Sequence, residues 1–246
     1  MLILVTNDDG VDARGIRALA KGLKELKGCR VVVVAPDHEQ SAKSHSLTLH
    51  RPLRLIKKSK DTYAVTGTPT DAVMMACHII LKKQPDLVVS GINRGANLGD
   101  DVHYSGTVSA AMEGGVMGIP AIAISQLGLE KFNYQMAVKF AQKIVRAATK
   151  NALPGGIVLN VNVPQNAKNL DFEVTKIGKR DYGEICAKRV DPRGRPYYWV
   201  GGNQFEFEDI SYSDCNAIRA GKIAVTPLRV NPTDMQYLNK MRSWQW

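Results

Sequence analysis

The chain predicts an α/β fold of the Rossmann-like, three-layer kind, with helices on both faces of a mostly parallel central sheet, plus a C-terminal extension. Three observations carry this. The first apolar run, Leu2-Ile3-Leu4-Val5, holds no charge, as expected of a strand buried on both faces of a parallel sheet. A helical pattern and a second such run, Val31 to Ala35, follow it within roughly thirty residues, the length of a right-handed βαβ unit. The alternation of apolar runs and amphipathic stretches then continues to residue 164 and weakens beyond it. The expected organisation is a core over residues 1–164 and an extension over 165–246 of strands, a basic loop and a final helix, packing on the core or on a partner subunit.

Taken in order, the first strand ends abruptly at Thr6-Asn7-Asp8-Asp9-Gly10. Ile16, Leu19, Ala20, Leu23 and Leu26 recur at helical spacing between Lys and Glu residues, so residues 15–27 read as an amphipathic helix. Pro36 closes the second strand, and a polar loop runs from Asp37 to Ser46. Leu47, Leu49, Leu53, Leu55 and Tyr63 to Thr66 look like shorter, partly alternating strands. Thr68-Pro69-Thr70-Asp71 has the residues of a helix start, with Thr68 as N-cap, proline at the first position and Asp71 at the capping-box position; that helix is expected to reach Lys83. Further strands are expected over Asp86 to Ser90, Ala121 to Ser125 and Ile157 to Val163, and helices over Thr107 to Met117 and Asn133 to Lys150. Past Pro164 the text turns to short strands (Phe172 to Ile177, Tyr197 to Val200) and a last helix, Thr233 to Arg242, followed by Trp244 and Trp246.

Bulk properties narrow the function. The 246 residues are 44% hydrophobic and 23% charged, a globular composition. No apolar run approaches the ~18 residues of a membrane helix, and Asn7, Asp8 and Asp9 cut the first one short of a signal peptide; a cytoplasmic protein is expected. Cys29, Cys77, Cys186 and Cys215 form no C-x-x-C, so neither a zinc site nor a disulfide framework is indicated and buried or inert thiols are expected. The net charge of +10 favours encounter with anions. Part of it is local: residues 176–195 hold seven Lys/Arg against three Asp/Glu, with Gly178, Gly183 and Gly194 among them, and read as a mobile basic loop or hairpin.

Open α/β sheets place their ligands beyond the carboxyl ends of the strands. Four loops fall there: Asp8-Asp9, Asp37 to Ser46, Gly91 to Thr107, and the loop after Ser125. The adjacent carboxylates of Asp8 and Asp9 repel one another, which favours either a raised pKa or a cation between them. An Asx-turn before Gly10 is the structural alternative. The pooled side chains are carboxylate, hydroxyl and amide, an oxygen set suited to Mg²⁺, Mn²⁺ or Ca²⁺. No G-x-G-x-x-G follows the first strand, no Walker A lysine motif and no G-x-S-x-G is present, and His38, His45, His50, His78 and His103 have no evident nucleophile partner.

At this point a resemblance is plain. Val5-Thr6-Asn7-Asp8-Asp9-Gly10, Val34-Ala35-Pro36-Asp37 followed by Ser41, Gly67-Thr68-Pro69-Thr70-Asp71, Ser90-Gly91-Ile92-Asn93-Arg94-Gly95-Ala96-Asn97-Leu98-Gly99, and Tyr104-Ser105-Gly106-Thr107-Val108 with Ala111-Met112-Glu113-Gly114 together resemble the SurE (survival protein E) family of nucleotidases. The match runs in order from residue 1 to about 125 and continues more loosely through Val225-Thr226-Pro227-Leu228. The resemblance implies a metal-dependent phosphatase acting on nucleoside 5′- and 3′-monophosphates and on short polyphosphate, with one divalent ion (Mg²⁺ or Mn²⁺) per subunit. Carried over residue by residue, the metal ligands are Asp8, Asp9, Ser41 and Asn93, with Asp8 and Asp9 central to catalysis. It also implies a homodimer or tetramer that pairs through the C-terminal segment. Two features depart from the family pattern: Gln40-Ser41-Ala42 where members often have Ser-Gly, and the basic 176–195 segment.

A phosphate site follows from the parts. Ser105-Gly106-Thr107 opens a helix whose free N–H groups and dipole suit a phosphate dianion, with Asn97 nearby as an amide donor. His45 and His103 are the candidates for protonating the leaving oxygen. Two other readings compete: an aspartyl-phosphate phosphatase of the haloacid dehalogenase type, which wants D-x-D where this chain has Asp8-Asp9-Gly10, and a basic nucleic-acid-binding module using Tyr197, Tyr198 and Trp199.

Overall fold

The computed structural model describes residues 1–128, 133–165, 167–181, 186–200 and 206–245; Gly183 and Trp246, singled out above, lie outside them. In chain order the elements are β1 (Leu2–Thr6), α1 (Arg14–Lys24), β2 (Arg30–Pro36), β3 (Leu55–Ser59), β4 (Thr62–Val65), α2 (Pro69–Met75), β5 (Leu87–Arg94), α3 (Gly106–Val116), β6 (Ala121–Gln126), α4 (Gln135–Lys150) and β7 (Ile157–Val163). They are followed by β8 (Phe172–Val174), β9 (Arg180–Asp181), β10 (Cys186–Val190), β11 (Pro196–Val200), β12 (Glu206–Phe207), α5 (Asp214–Arg219), β13 (Ile223–Arg229) and α6 (Met235–Met241).

The main sheet has nine strands in the order β3-β4-β2-β1-β5-β6-β7-β13-β8. From β4 through β7 every pairing is parallel. Because side chains alternate across a strand, β1 sends Ile3 and Val5 to one face and Leu2 and Leu4 to the other. Ile3 and Val5 join a cluster with Ile16, Leu19 and Leu23 of α1 and Phe140 and Val145 of α4. Leu2 and Leu4 join Ala72 and Val73 of α2 and Val108, Ala110 and Ala111 of α3. This is the three-layer α/β architecture the pattern predicts.

The strand order matters for the site. β2 lies on one side of β1 and β5 on the other, so the winding direction reverses at β1, the topological switch point where such sheets open a crevice. Asp8 and Asp9 are the residues that the chain places there.

Several expectations are corrected. Leu47 and Leu49 are exposed and lie in no strand, because that segment is tied to the start of α2: Thr68 Oγ1 donates to the Ser46 carbonyl at 2.7 Å and Asp71 Oδ1 accepts from the Thr48 N–H at 3.1 Å. The capping box of Thr68 and Asp71 is present, but the α-helix ends at Met75 and a wider π-turn, Ala76–Ile80, takes its place short of Lys83. β5 runs past Ser90, since pairing with β6 resumes at Asn93 opposite Ser125 and Arg94 opposite Gln126; Asn93 thus sits on a strand end rather than in a loop. The 165–246 segment does more than pack on the core. Its β13 pairs antiparallel with β7, and β8 pairs parallel with β13, so the sheet itself continues into it. The basic segment includes an antiparallel hairpin, β10 to β11, whose turn is held by Asp191 Oδ1 accepting from the N–H groups of Arg193 and Arg195 at 2.8 and 2.9 Å. Cys215 is buried, but Cys186 on that hairpin is exposed. Burial pushes the Cys77 thiol up to about 11 and the Cys215 thiol up to about 12, and both are therefore inert.

Candidate active site

Asp8 is buried and Asp9 half-buried at the end of β1. The N-terminus of α3 comes directly against Asp8. Thr107 donates its hydroxyl to Asp8 Oδ1, and its backbone N–H and that of Asp8 itself also favour the ionised carboxylate. Gly106 makes this approach possible: a Cβ there would lie 2.7 Å from the Asp8 Cβ and 2.8 Å from its Oδ2. Asp9 Oδ2 accepts from the Arg94 N–H at 3.2 Å, which ties the end of β1 to the end of β5. On the other side, the Gln40 N–H donates to the Asp8 carbonyl at 2.8 Å and anchors the loop after β2.

The electrostatics follow from this packing. Burial is the main cause that pushes the Asp8 carboxyl up to about 6; the Thr107 hydroxyl opposes it and the Asp9 charge adds to it. Burial also raises Asp9, with the Arg94 N–H opposing and Glu39 adding repulsion. Two carboxylates held together and desolvated in this way are short of positive charge, which a divalent cation supplies.

The donor set fits such an ion. Asn93 donates its side-chain NH₂ to the Gly95 carbonyl at 3.0 Å, which leaves its amide oxygen as the metal-competent atom. The Ser41 hydroxyl is exposed and donates to Glu39 Oε1 at 2.9 Å, not to Asp8 or Asp9. Among the described residues no group of three or more His, Cys, Asp or Glu side chains converges on a metal position. In residue type, two carboxylates with neutral hydroxyl and amide oxygens are donors that a hard cation takes.

The expected phosphate cradle is arranged differently. Ser105 is the N-cap of α3 and accepts from the Val108 N–H at 3.1 Å. Thr107 is fully buried and directs both its donors to Asp8. The helix N-terminus thus faces the Asp8 carboxylate, an anion the sequence already contains. Asn97 is clamped from the sheet: its N–H donates to Asn162 Oδ1 at 2.8 Å, its carbonyl accepts from Asn160 and Asn162 Nδ2 at 2.9 Å each, and its own amide donates to Ser125 Oγ at 2.7 Å. Sequence reading missed Asn160, Asn162 and Ser125 as supports of the site. The signal was there in a polar residue at every second position of an otherwise apolar strand, Asn160-Val161-Asn162.

The histidines separate. His45 Nε2 lies 2.8 Å from Glu113 Oε2 of α3. His103 is exposed at the end of a 3₁₀ turn, Gly99–His103, and its carbonyl accepts from the Ser44 hydroxyl at 2.5 Å. Neither is bonded to Asp8 or Asp9.

Comparison with known proteins places the whole chain. The family model described as survival protein SurE matches residues 3–184. A protein named 5′-nucleotidase SurE from Geobacter sulfurreducens is 52% identical over 247 residues, covering 99% of this chain and 94% of the relative. One of the same name from Myxococcus xanthus is 45% identical over 245 residues, covering 99% and 93%. The crystal structure of the SurE protein from Aquifex aeolicus superposes with a TM-score of 0.87 at 41% identity, covering 99% of this chain and 100% of that one. With a family model matched across most of its length and these relatives covered almost end to end, the chain belongs to the survival protein SurE family.

Proposed function

We propose that this protein is a divalent-metal-dependent phosphomonoesterase that removes phosphate from nucleoside 5′-monophosphates, and also from 3′-monophosphates and short polyphosphate. The observation that carries the reading is the pair Asp8 and Asp9 at the switch point of the sheet, both raised by burial. The relatives' name, 5′-nucleotidase, points the same way.

In this reading Asp8, Asp9, Ser41 and Asn93 hold one Mg²⁺ or Mn²⁺ ion, which supplies Lewis-acid stabilisation of the phosphoryl oxygens. The protein's own groups do the rest. Thr107 and the start of α3 keep Asp8 ionised and fixed in place. Arg94 orients Asp9 through its N–H. Asn97, held rigid by Asn160, Asn162 and Ser125, is the proposed amide donor to phosphate, with the Gly106 backbone as a second proposed donor. His45 and His103 remain the proposed proton donors to the leaving oxygen.

The extension is proposed to pair subunits into a homodimer or tetramer. α6 has no fully buried residue; Met235 and Tyr237 are exposed along it and Trp244 just beyond its end. The proposed compartment is the cytoplasm. No helix among the described residues is long and apolar enough to cross a membrane.

The test is release of inorganic phosphate from nucleoside 5′-monophosphates with Mg²⁺ or Mn²⁺, repeated with EDTA. Metal-dependent release supports the reading. Trapping a phospho-aspartate on Asp8 would favour the dehalogenase-type mechanism instead.

A further inference from the structure

A cavity of about 730 Å³ opens at the carboxyl ends of β6 and β7, walled by Ala96, Leu98, Leu127, Phe207 and Ile218. None of the residues assigned above to metal or phosphate lines it. Two of its walls are nevertheless shared with the active site. One is the Gly95–Leu98 stretch, which also carries Asn97 and follows Asn93 and Arg94. The other is the 3₁₀ turn Gly99–His103, which contributes Asp101 and runs directly into Ser105, Gly106 and Thr107. The same two segments therefore border the cavity on one side and, through the Arg94 N–H to Asp9 and Thr107 to Asp8, lead to the carboxylate pair on the other.

The lining has the character of a site for a flat, mostly apolar group with polar edges. Its volume falls within the roughly 300–1,000 Å³ usual for small-molecule pockets, with apolar walls and few polar groups. Its polar side chains are Gln165 and one ion pair, Arg180 with Asp101, whose side chains are only 15% and 16% exposed. Phe207 supplies an aromatic face, with the Arg219 guanidinium 5.9 Å from its ring centre on β12. Aromatic and guanidinium planes are the surfaces on which nucleobases stack.

We infer that this cavity receives the nucleoside half of the substrate, with Phe207 as the stacking residue and the Asp101–Arg180 pair as the polar edge that reads it. The inference rests on the nucleotidase reading above, which gives a substrate but no place for its base.

The test separates the two claims. Adenosine, which carries the base and ribose without phosphate, is titrated calorimetrically into the wild type, Phe207→Ala, Phe207→Tyr and the cavity-filling Leu127→Trp. Phosphate release is measured on adenosine 5′-monophosphate and on glycerol phosphate, an ester with no base. Phe207→Ala should weaken adenosine binding roughly ten-fold, the effect of one lost stack. The ratio of kcat/KM for the nucleotide over that for glycerol phosphate should fall by a similar factor, mainly through KM. Phe207→Tyr should restore both, and Leu127→Trp should block adenosine without altering Phe207. Unchanged adenosine binding in the folded Phe207→Ala and Leu127→Trp proteins overturns the inference, as does an equal loss on both esters. A wild type that binds adenosine in a Phe207-dependent way yet releases no phosphate from any nucleotide supports the cavity assignment and sinks the activity instead.

Discussion

Gly106 sits so close to Asp8 that a Cβ at position 106 would come within 2.7 Å of the Asp8 Cβ. The first turn of α3 and the carboxylate at the end of β1 are therefore one packed unit, and the helix orients the carboxylate while lowering the penalty for its charge. Gly106→Ala must push Asp8 or the helix aside. Since displacement of a catalytic group by about 1 Å costs on the order of a hundred-fold in rate, Gly106→Ala is expected to lose roughly that much kcat/KM in a protein whose circular dichroism is unchanged. Retention of wild-type turnover would detach α3 from the chemistry.

Thr107 serves Asp8, and the expected effect of its loss follows from that bond. A hydrogen bond to a carboxylate favours the ionised form. In Thr107→Val the Asp8 pKa should rise further and the acid limb of the pH profile of kcat/KM should move to higher pH. A charged hydrogen bond contributes about 1.5–3 kcal/mol, so the loss at neutral pH should be roughly ten-fold or more. Inhibition by inorganic phosphate should be little changed; a much weakened phosphate Ki with an unmoved acid limb would place the hydroxyl on phosphate.

Asp8 also predicts the pH dependence of stability without metal. Its carboxyl is raised from 3.8 to about 6 on folding, so the folded state binds the proton more tightly. Stability is then fully present below the unfolded value and falls as pH rises through the folded one, levelling off above about 6. In EDTA, Asp8→Asn should be more stable than the wild type at pH 7, by an upper limit of about 3 kcal/mol. The gap should close between about pH 6 and pH 4, as measured by urea unfolding. Asp8→Asn and Asp9→Asn should each abolish Mg²⁺ or Mn²⁺ binding by calorimetry.

Asn162 both accepts from and donates to the backbone of Asn97, wholly inside the protein. Asn162→Leu leaves the Asn97 N–H without this acceptor, a cost of about 1–3 kcal/mol. Each kcal/mol corresponds to roughly 2–4 °C in Tm for a chain of this size. Activity should fall with it because the Gly95–Leu98 stretch loses its anchor. Asn162→Asp keeps the acceptor but sets a buried carboxylate oxygen against the Asn97 carbonyl that Nδ2 had donated to, and should cost at least as much in thermal melts.

Deleting residues 232–246 removes α6 with its exposed Met235 and Tyr237, and Trp244 beyond it. Since α6 has no fully buried residue, the monomer fold should survive, while sedimentation velocity should show a shift toward monomer. An unchanged assembly after deletion would move the subunit contact elsewhere, with the exposed hairpin of Tyr197, Tyr198 and Trp199 the next surface to vary.

The sequence by itself determined the layers, the central strand and the carboxylate pair. Leu2 to Val5, the amphipathic period of Ile16 to Leu23 and the Thr68–Asp71 capping box are local patterns, and local periodicity is enough to say which face of an element is buried. Only the tertiary structure decided what the start of α3 holds, because Ser105-Gly106-Thr107 reads alike as a cradle for any anion. That anion proved to be Asp8, 99 residues away in sequence. In the same way Asn160 and Asn162 could not be read as supports of Asn97 until β7 was placed two strands from β5, nor could β13 be assigned to the main sheet from a segment whose alternation is weak. Hydrogen bonds between residues distant in the chain leave no periodic trace, since they depend on which strands become neighbours, and that is settled by the packing of the whole sheet.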